Sequence, residues 1–306
     1  MPPVNRNKPQ RAESSESTYS VMEFMRQFPD DTACLDWLWR RLDSTDGDHA
    51  YCPKCDQTRK FHRVASRPSY SCDVCGHHIH PTAGTIFHKS STSLHLWFYA
   101  IFLMSSTRCG ISAKQLEREL GVTYKTAWRM FHLIRNMLMP QDDEPLSGDV
   151  EMDETMVGGY RKANRGRRPA NQSTVFGMVE RGGRVAAHVV EDASQVSLYP
   201  HIGKTVAVGS RVFTDEHKTY TNMPTARFDH GTIKHRAGVF VDGDVHTQTI
   251  ENFWALVKNG IRGVYHNVSP QHLQGYLNEY VYRYNHRDDV TPMFFSVLGQ
   301  VRRQDA

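Results

Sequence analysis

Three carboxylates in this 306-residue chain stand where strand and helix patterns could bring them together. Asp153 lies inside an extended run, Val150-Glu151-Met152-Asp153-Glu154-Thr155, and Asp215 ends another, Arg211-Val212-Phe213-Thr214-Asp215. Glu251 opens a helix in Thr247-Gln248-Thr249-Ile250-Glu251-Asn252-Phe253-Trp254, and 35 residues lie between Asp215 and Glu251. Acids on a strand, a strand end and a helix can converge at one sheet edge and hold two Mg2+ (or Mn2+) ions, hard cations that want oxygen ligands. Two such ions roughly 3.5–4 Å apart activate an attacking oxygen and stabilise a leaving one in phosphodiester chemistry. A single acid is more often solvated than catalytic. The strand setting of Asp153 and Asp215 argues otherwise, because a charge within or just after an apolar strand is costly without a partner. Glu151 shares a strand face with Asp153 and is a rival or supporting ligand. Glu154 and Glu216 are expected to point away.

The helix of Glu251 carries an apolar stripe, Ile250, Phe253, Trp254 and Val257. Lys258 is seven residues beyond Glu251 and hence about 20° away around the axis, where it could touch a nucleic-acid phosphate. Between Asp153 and the next strand lies a Gly-containing loop with five basic residues, Arg161, Lys162, Arg165, Arg167 and Arg168. A basic loop after such a strand suits a polyanionic substrate, although a solubilising loop has the same composition.

Four of the six cysteines form Cys52-Pro-Lys-Cys55 and Cys72-Asp-Val-Cys75, with 16 residues between the pairs. Two knuckles at this spacing can place four thiolates tetrahedrally around one structural Zn2+. Gly76 follows the second knuckle, where a tight turn aims backbone amides at sulfur. Short strands at Lys60–Val64 and Pro68–Ser71 between the knuckles predict a zinc ribbon. Two redox pairs are the weaker alternative, since no βαβ pattern surrounds them. Cys34 and Cys109 read as ordinary buried thiols.

Elements must position both sets. Residues 1–17 are polar and aperiodic, a disordered tail, and residues 18–47 hold two short helices broken at Pro29, the second capped by Asp30 or Asp31. The ribbon spans 48–80. Residues 90–140 are helical, and Gly110 to Met130 reads as a helix-turn-helix: one helix stops at Gly121 and a second starts after Thr123. Leu116, Leu120, Val122, Ala127 and Met130 supply its small core, and Lys125, Thr126 and Arg129 would face outward to DNA. An acidic linker, Gln141 to Pro145, marks a boundary. Residues 146–290 then alternate strands (Asp149–Val157, Thr174–Glu180, Arg184–Val190 and Thr205–Thr214) with terminal helices (Thr247–Lys258 and Pro270–Asn285), an α/β layer. Residues 291–306 read as a C-terminal tail.

Composition sets bounds. Hydrophobic residues are 39% and aromatic residues 10% of the chain, well inside the globular range. The longest apolar run, Leu94–Met104, is far short of the ~20 residues that span a bilayer. With a polar amino end lacking a signal core, a soluble protein of the bacterial cytoplasm and nucleoid is expected, with no membrane partner. The net charge of +4 is too small to signal DNA by itself, because acidic and basic clusters offset one another.

The chain resembles the zinc-ribbon DDE transposases of bacterial insertion sequences, the ISXO-type group related to the eukaryotic Merlin elements. The match runs over nearly the whole chain after residue 20. It rests on Cys-Pro-x-Cys, Gly110 to Leu116, Asp153-Glu154-Thr155 with Gly158-Gly159, Thr214-Asp215-Glu216, Ile250 to Trp254 with Lys258, Gly263-Val264-Tyr265-His266 and Tyr284-Asn285-x-Arg287. Where the group has His-x-Asn before the Glu helix, this chain has His246-Thr247-Gln248. The resemblance implies an RNase H-like catalytic domain with a mixed sheet and flanking helices, preceded by the zinc ribbon and helix-turn-helix. It also implies a DDE-K set at Asp153, Asp215, Glu251 and Lys258, and terminal-repeat DNA as substrate. The function expected is Mg2+-dependent strand cleavage and transfer by a homodimer or larger assembly on paired ends. A non-catalytic DNA-binding regulator and a nuclease that cuts without rejoining are the alternatives.

Overall fold

The computed structural model describes residues 14–16, 18–158, 172–221, 223, 227–233 and 246–304. The chain divides into two compact units. One comprises Met1–Arg108, Ala113–Leu138 and Asp289–Ala306, and the other Cys109–Ser112 and Met139–Asp288. Most of the expected tail at 1–17 and the whole basic loop lie outside the described residues.

In the first unit, local capping chemistry sets the helices. Ser20 starts α1 (Val21–Gln27) in a reciprocal capping box with Glu23, and Asp30 caps α2 (Asp31–Leu42) through the Ala33 N–H at 2.9 Å. Asp31 serves another helix, accepting from the His95 N–H of α3 (Leu94–Ser106) at 2.8 Å. The four-stranded antiparallel ribbon, β1 (His49–Cys52), β2 (Gln57–Val64), β3 (Ser69–Cys72) and β4 (His78–Ile79), is stacked in chain order. Trp39 of α2 lies flat on Tyr70 of β3, with ring centroids 4.1 Å apart, and donates to the Gly47 carbonyl. Helices α4 (Ala113–Leu120) and α5 (Tyr124–Leu133) are joined by Gly121, at φ +64°, and the Thr123 cap. Leu116, Leu120, Ala127 and Met130 are buried. The described part of the expected C-terminal tail, residues 291–304, is packed: α9 (Met293–Leu298) buries Phe294 against Phe24, Phe28 and Phe102, and Met293 donates its N–H to the Ser15 carbonyl. The apolar pattern Met293-Phe294-x-x-Val297-Leu298 was the available signal.

The second unit is a mixed five-stranded sheet of order β7-β6-β5-β8-β9. β5 (Asp149–Gly158), β6 (Gln172–Glu180) and β7 (Val185–Val190) are antiparallel, and β8 (Arg211–Asp215) and β9 (Asp229–Ile233) run parallel to β5. α6 (Gln195–Thr205) covers one face, packing Leu198 and Ile202 on Met152, Phe176 and Val212. α7 (Gln248–Gly260) and α8 (Leu273–Asn285) cover the other, packing Phe253, Trp254 and Leu277 on Val175, Val179 and Ala187. The strand expected over Thr205–Thr214 is shorter. Ser194 caps a helix that runs through Thr205, Val206 forms only a bridge to Leu146, and Gly209, at φ +88°, turns the chain before β8. Among the described residues no helix is long and apolar enough to cross a membrane.

Candidate active site and cysteine cluster

Strand register brings the first two carboxylates together. β5 pairs in parallel with β8 as far as Glu151 opposite Phe213. Two residues further along each strand stand Asp153 and Asp215, on the same face of adjacent strands. Burial, and then the charges of Glu154 and Asp215, push the Asp153 carboxyl up to about 7. Glu154, on the opposite face of β5, takes the hydroxyl of Tyr220 from the other core and lies 3.4 Å from the His217 ring, and burial raises it too.

The third carboxylate arrives on α7. The Trp254 indole N–H donates to Asp153 at 3.0 Å, and its ring lies over Gly177, the β6 residue paired with Asp153. A Cβ on Gly177 would sit 2.4 Å from the indole, so this glycine makes the close approach possible. Glu251 lies three residues before Trp254, within one helical turn on a neighbouring face, and is exposed. Its carboxylate takes the Thr247 hydroxyl at 3.1 Å. Asp153, Asp215 and Glu251 do not close into a tight cluster. Among the described residues, the only group of three or more His, Cys, Asp or Glu ligand atoms all within 4.8 Å of one another is a cysteine set.

Glu151 has a different role from the ligand reading. It is fully buried, and its two oxygens accept from the Thr249 N–H (2.7 Å), Ile250 N–H (3.0 Å), Thr249 hydroxyl (2.9 Å) and Arg181 Nε (2.8 Å). His246 Nδ1 lies 3.0 Å away. The carboxylate therefore caps α7 from the adjacent strand, satisfying two of its free amides. Arg181 also donates to the His246 carbonyl and covers the Phe213 ring. Glu151 thus fixes where α7 begins, and with it where Glu251 and Lys258 fall.

The cysteine set is Cys52, Cys55, Cys72 and Cys75; of the other two, Cys34 is buried as expected, whereas Cys109, expected to be buried, is exposed. Cys52 Sγ lies 3.5 Å from Cys75 Sγ, and Cys55 Sγ lies 4.0 Å from Cys72 Sγ. Sulfurs about 2.3 Å from a tetrahedral ion stand roughly 3.8 Å apart, so the set fits one structural metal ion. Each knuckle turns through a left-handed residue, Gly76 at φ +67° and Asp56 at φ +54°. Their N–H groups return to the Cys72 and Cys52 carbonyls. Burial opposes ionisation of Cys52, yet the Cys55 N–H and the Cys75 thiol bring it down to about 7.

Two comparisons with known proteins bear on this arrangement. Residues 145–285 match the family model of the ISXO2-like transposase domain. An uncharacterized protein in transposable element ISH50 of Halobacterium salinarum is 27% identical over 256 residues, covering 76% of this chain and 84% of that protein. A solved cryoEM structure of a simian T-cell lymphotropic virus intasome with PP2A regulatory subunit B56 gamma overlaps at a TM-score of 0.30 and 15% identity. It covers 59% of this chain, which spans 64% of that one, too partial an overlap to bear on the fold.

Within the matched residues 145–285, β5, β8 and α7 carry all four residues of the expected catalytic set, with Lys258 in the last turn of α7. Outside it, Lys125 and Arg129 of α5 are exposed, whereas Thr126 is half-buried and its N–H and hydroxyl are engaged by the Thr123 cap. Arg161, Lys162, Arg165, Arg167 and Arg168 lie outside the described residues. The bond from Trp254 to Asp153, the close approach at Gly177 and the capping role of Glu151 escaped the sequence reading. A tryptophan in an apolar stripe and a glycine inside a strand were the signals to follow.

Proposed function

We propose that this chain is a DDE-type transposase that cuts and rejoins DNA at the ends of an insertion sequence. The observation that carries the reading is the placement of Asp153 and Asp215 side by side on parallel strands, with α7 hydrogen-bonded to Asp153 and bearing Glu251 and Lys258. Burial and the nearby charge of Asp215 raise the cost of ionising Asp153 and Glu154, which favours a cation there. Asp153, Asp215 and Glu251 would hold divalent metal ions, Mg2+ or Mn2+, which supply charge stabilisation for the attacking and leaving oxygens when bound. The chain's own residues do the rest. Trp254 orients Asp153, Glu151 seats α7, and Lys258 holds the phosphate backbone. Water attacks first to free a 3′-hydroxyl, and that hydroxyl then attacks target DNA in line.

The mixed sheet with helices on both faces supports an RNase H-like reading of residues 146–290. The four cysteines would hold Zn2+ in a ribbon, and α4–Gly121–α5 would act as a helix-turn-helix presenting Lys125 and Arg129 to the terminal repeats. Two ends must be synapsed, which calls for a dimer or larger assembly on paired ends. The test is strand transfer of a labelled element end with Mg2+. Joined product from the wild type that disappears in Asp153→Asn supports the proposal. Cleavage without joining would favour a nuclease, and tight binding without cleavage a regulator.

A further inference from the structure

At its C-terminal end α7 leaves regular geometry. Ile261–Tyr265 winds as a π-type turn, and His266 follows at φ +58°. Wide turns and left-handed non-glycine residues cost energy and concentrate at functional sites. Here they border a cavity of about 330 Å³ at the end of the β5–β6 hairpin. Its floor is apolar, with Val157, Ile261 and Val268 buried. On its rim, Lys258 and Arg262 stand one helical turn apart, and Gln172 and Asn267 line the same space. Among the described residues, neither cation has a carboxylate partner and neither amide has a hydrogen-bonding one.

Two unneutralised cations on adjacent turns suit a phosphate, and apolar side chains beside two amide-bearing residues suit a heterocycle. The volume sits at the low end of the roughly 300–1,000 Å³ of small-molecule sites, room for one nucleotide and too little for a base pair. We infer that this cavity takes a single nucleotide of the DNA strand, its phosphate on Lys258 and Arg262 and its base against Val157, Ile261 and Val268. A stacked and paired base cannot enter, so the nucleotide is unpaired or turned out of the duplex, with the cavity repaying part of the unstacking cost. The inference rests on the DNA-processing reading and adds to it a place for one base beside Lys258. Arg262 and Asn267 are then substrate-positioning residues.

The experiment is photo-cross-linking of the full chain to a short oligothymidylate carrying one 5-iodouracil, with peptide mapping of the adduct. Labelling is expected within Lys258–Val268 or at Met156, competed by thymidine 5′-monophosphate and not by thymidine. Arg262→Glu, Asn267→Ala and the cavity-filling Met156→Trp should each lower the yield about tenfold with melting temperatures unchanged. All three positions are exposed, so at least one folded variant is available. Labelling spread over other basic segments, or folded variants that label like the wild type, would overturn the inference. The assay needs neither Mg2+ nor cleavage. Loss of strand transfer with retained labelling sinks only the proposed function, and strand transfer without labelling here sinks only the nucleotide site.

Discussion

Replacing Glu151 by alanine removes the one carboxylate that joins β5 to the start of α7. The side chain is fully buried and takes two backbone amides, one hydroxyl and the Arg181 guanidinium. Truncating one partner of a buried ion pair costs about 3–5 kcal/mol, because the other charge is left uncompensated. Loss of a helix cap adds about 1 kcal/mol. Arg181 is 18% exposed, keeps the His246 carbonyl and has the Asp149 carboxylate 3.8 Å away, so some of its charge is recovered by water and those acceptors. A net loss of about 3–4 kcal/mol follows. For a unit of this size 1 kcal/mol moves the midpoint by about 2–4 °C, so a fall near 10 °C is expected in a thermal melt. Amide hydrogen exchange should localise the change to Thr249 and Ile250. The apolar pair Glu151→Leu with Arg181→Met should recover part of the loss, since no buried charge is then stranded. A Glu151→Ala cost below about 1 kcal/mol, or a double variant no better than the single, would refute the capping account.

Three further outcomes follow from the same structure. Asp153 is raised to about 7, so the folded state holds a proton that the unfolded chain releases above about pH 4. Its contribution is therefore lost as pH rises from about 4 to 7, and in chelator the stability advantage of Asp153→Asn over wild type should grow across that window. Mg2+ should then stabilise only the wild type, and a pH-independent difference would contradict this. Gly177→Ala should lower stability by about 1–3 kcal/mol and dim strand transfer, because its Cβ would displace the Trp254 indole from Asp153. An unshifted melt would show that the indole can move freely. Stripping metal from the cysteine set, or Cys72→Ser, should abolish one bound zinc per chain and change the fluorescence of Trp39, which stacks on Tyr70 of the ribbon. Unchanged emission with the metal gone would argue against a structural role.

The ribbon was legible because knuckle spacing, turn residues and short strands all reported the same local geometry. The acidic site was legible in part. Alternation placed Asp153 on one face of a strand, and Asp215 closed a second apolar run. No pattern in one sequence states that β5 and β8 are parallel neighbours, a register that only the whole sheet fixes. Glu151 shows the limit most clearly: alternation puts it on the face of Asp153, and only the position of α7 decides that it binds amides. The missed α6 has Pro200 in its interior, which masks a helical stripe of Leu198 and Ile202. The strand expected to begin at Thr205 failed for the linked reason that the helix extends to that residue. Asp56 occupies a left-handed turn without being glycine, so the symmetry of the two knuckles was visible only in the backbone.

The central claim is that Asp153 and Asp215 work as a pair on DNA. It is tested most directly by single-turnover cleavage of a labelled element end, comparing wild type, Asp153→Asn and Asp215→Asn with and without Mg2+. The account predicts Mg2+-dependent 3′-end cleavage followed by joining in the wild type, and neither product from either variant while both still bind the end. Cleavage and joining that survive either substitution would contradict it.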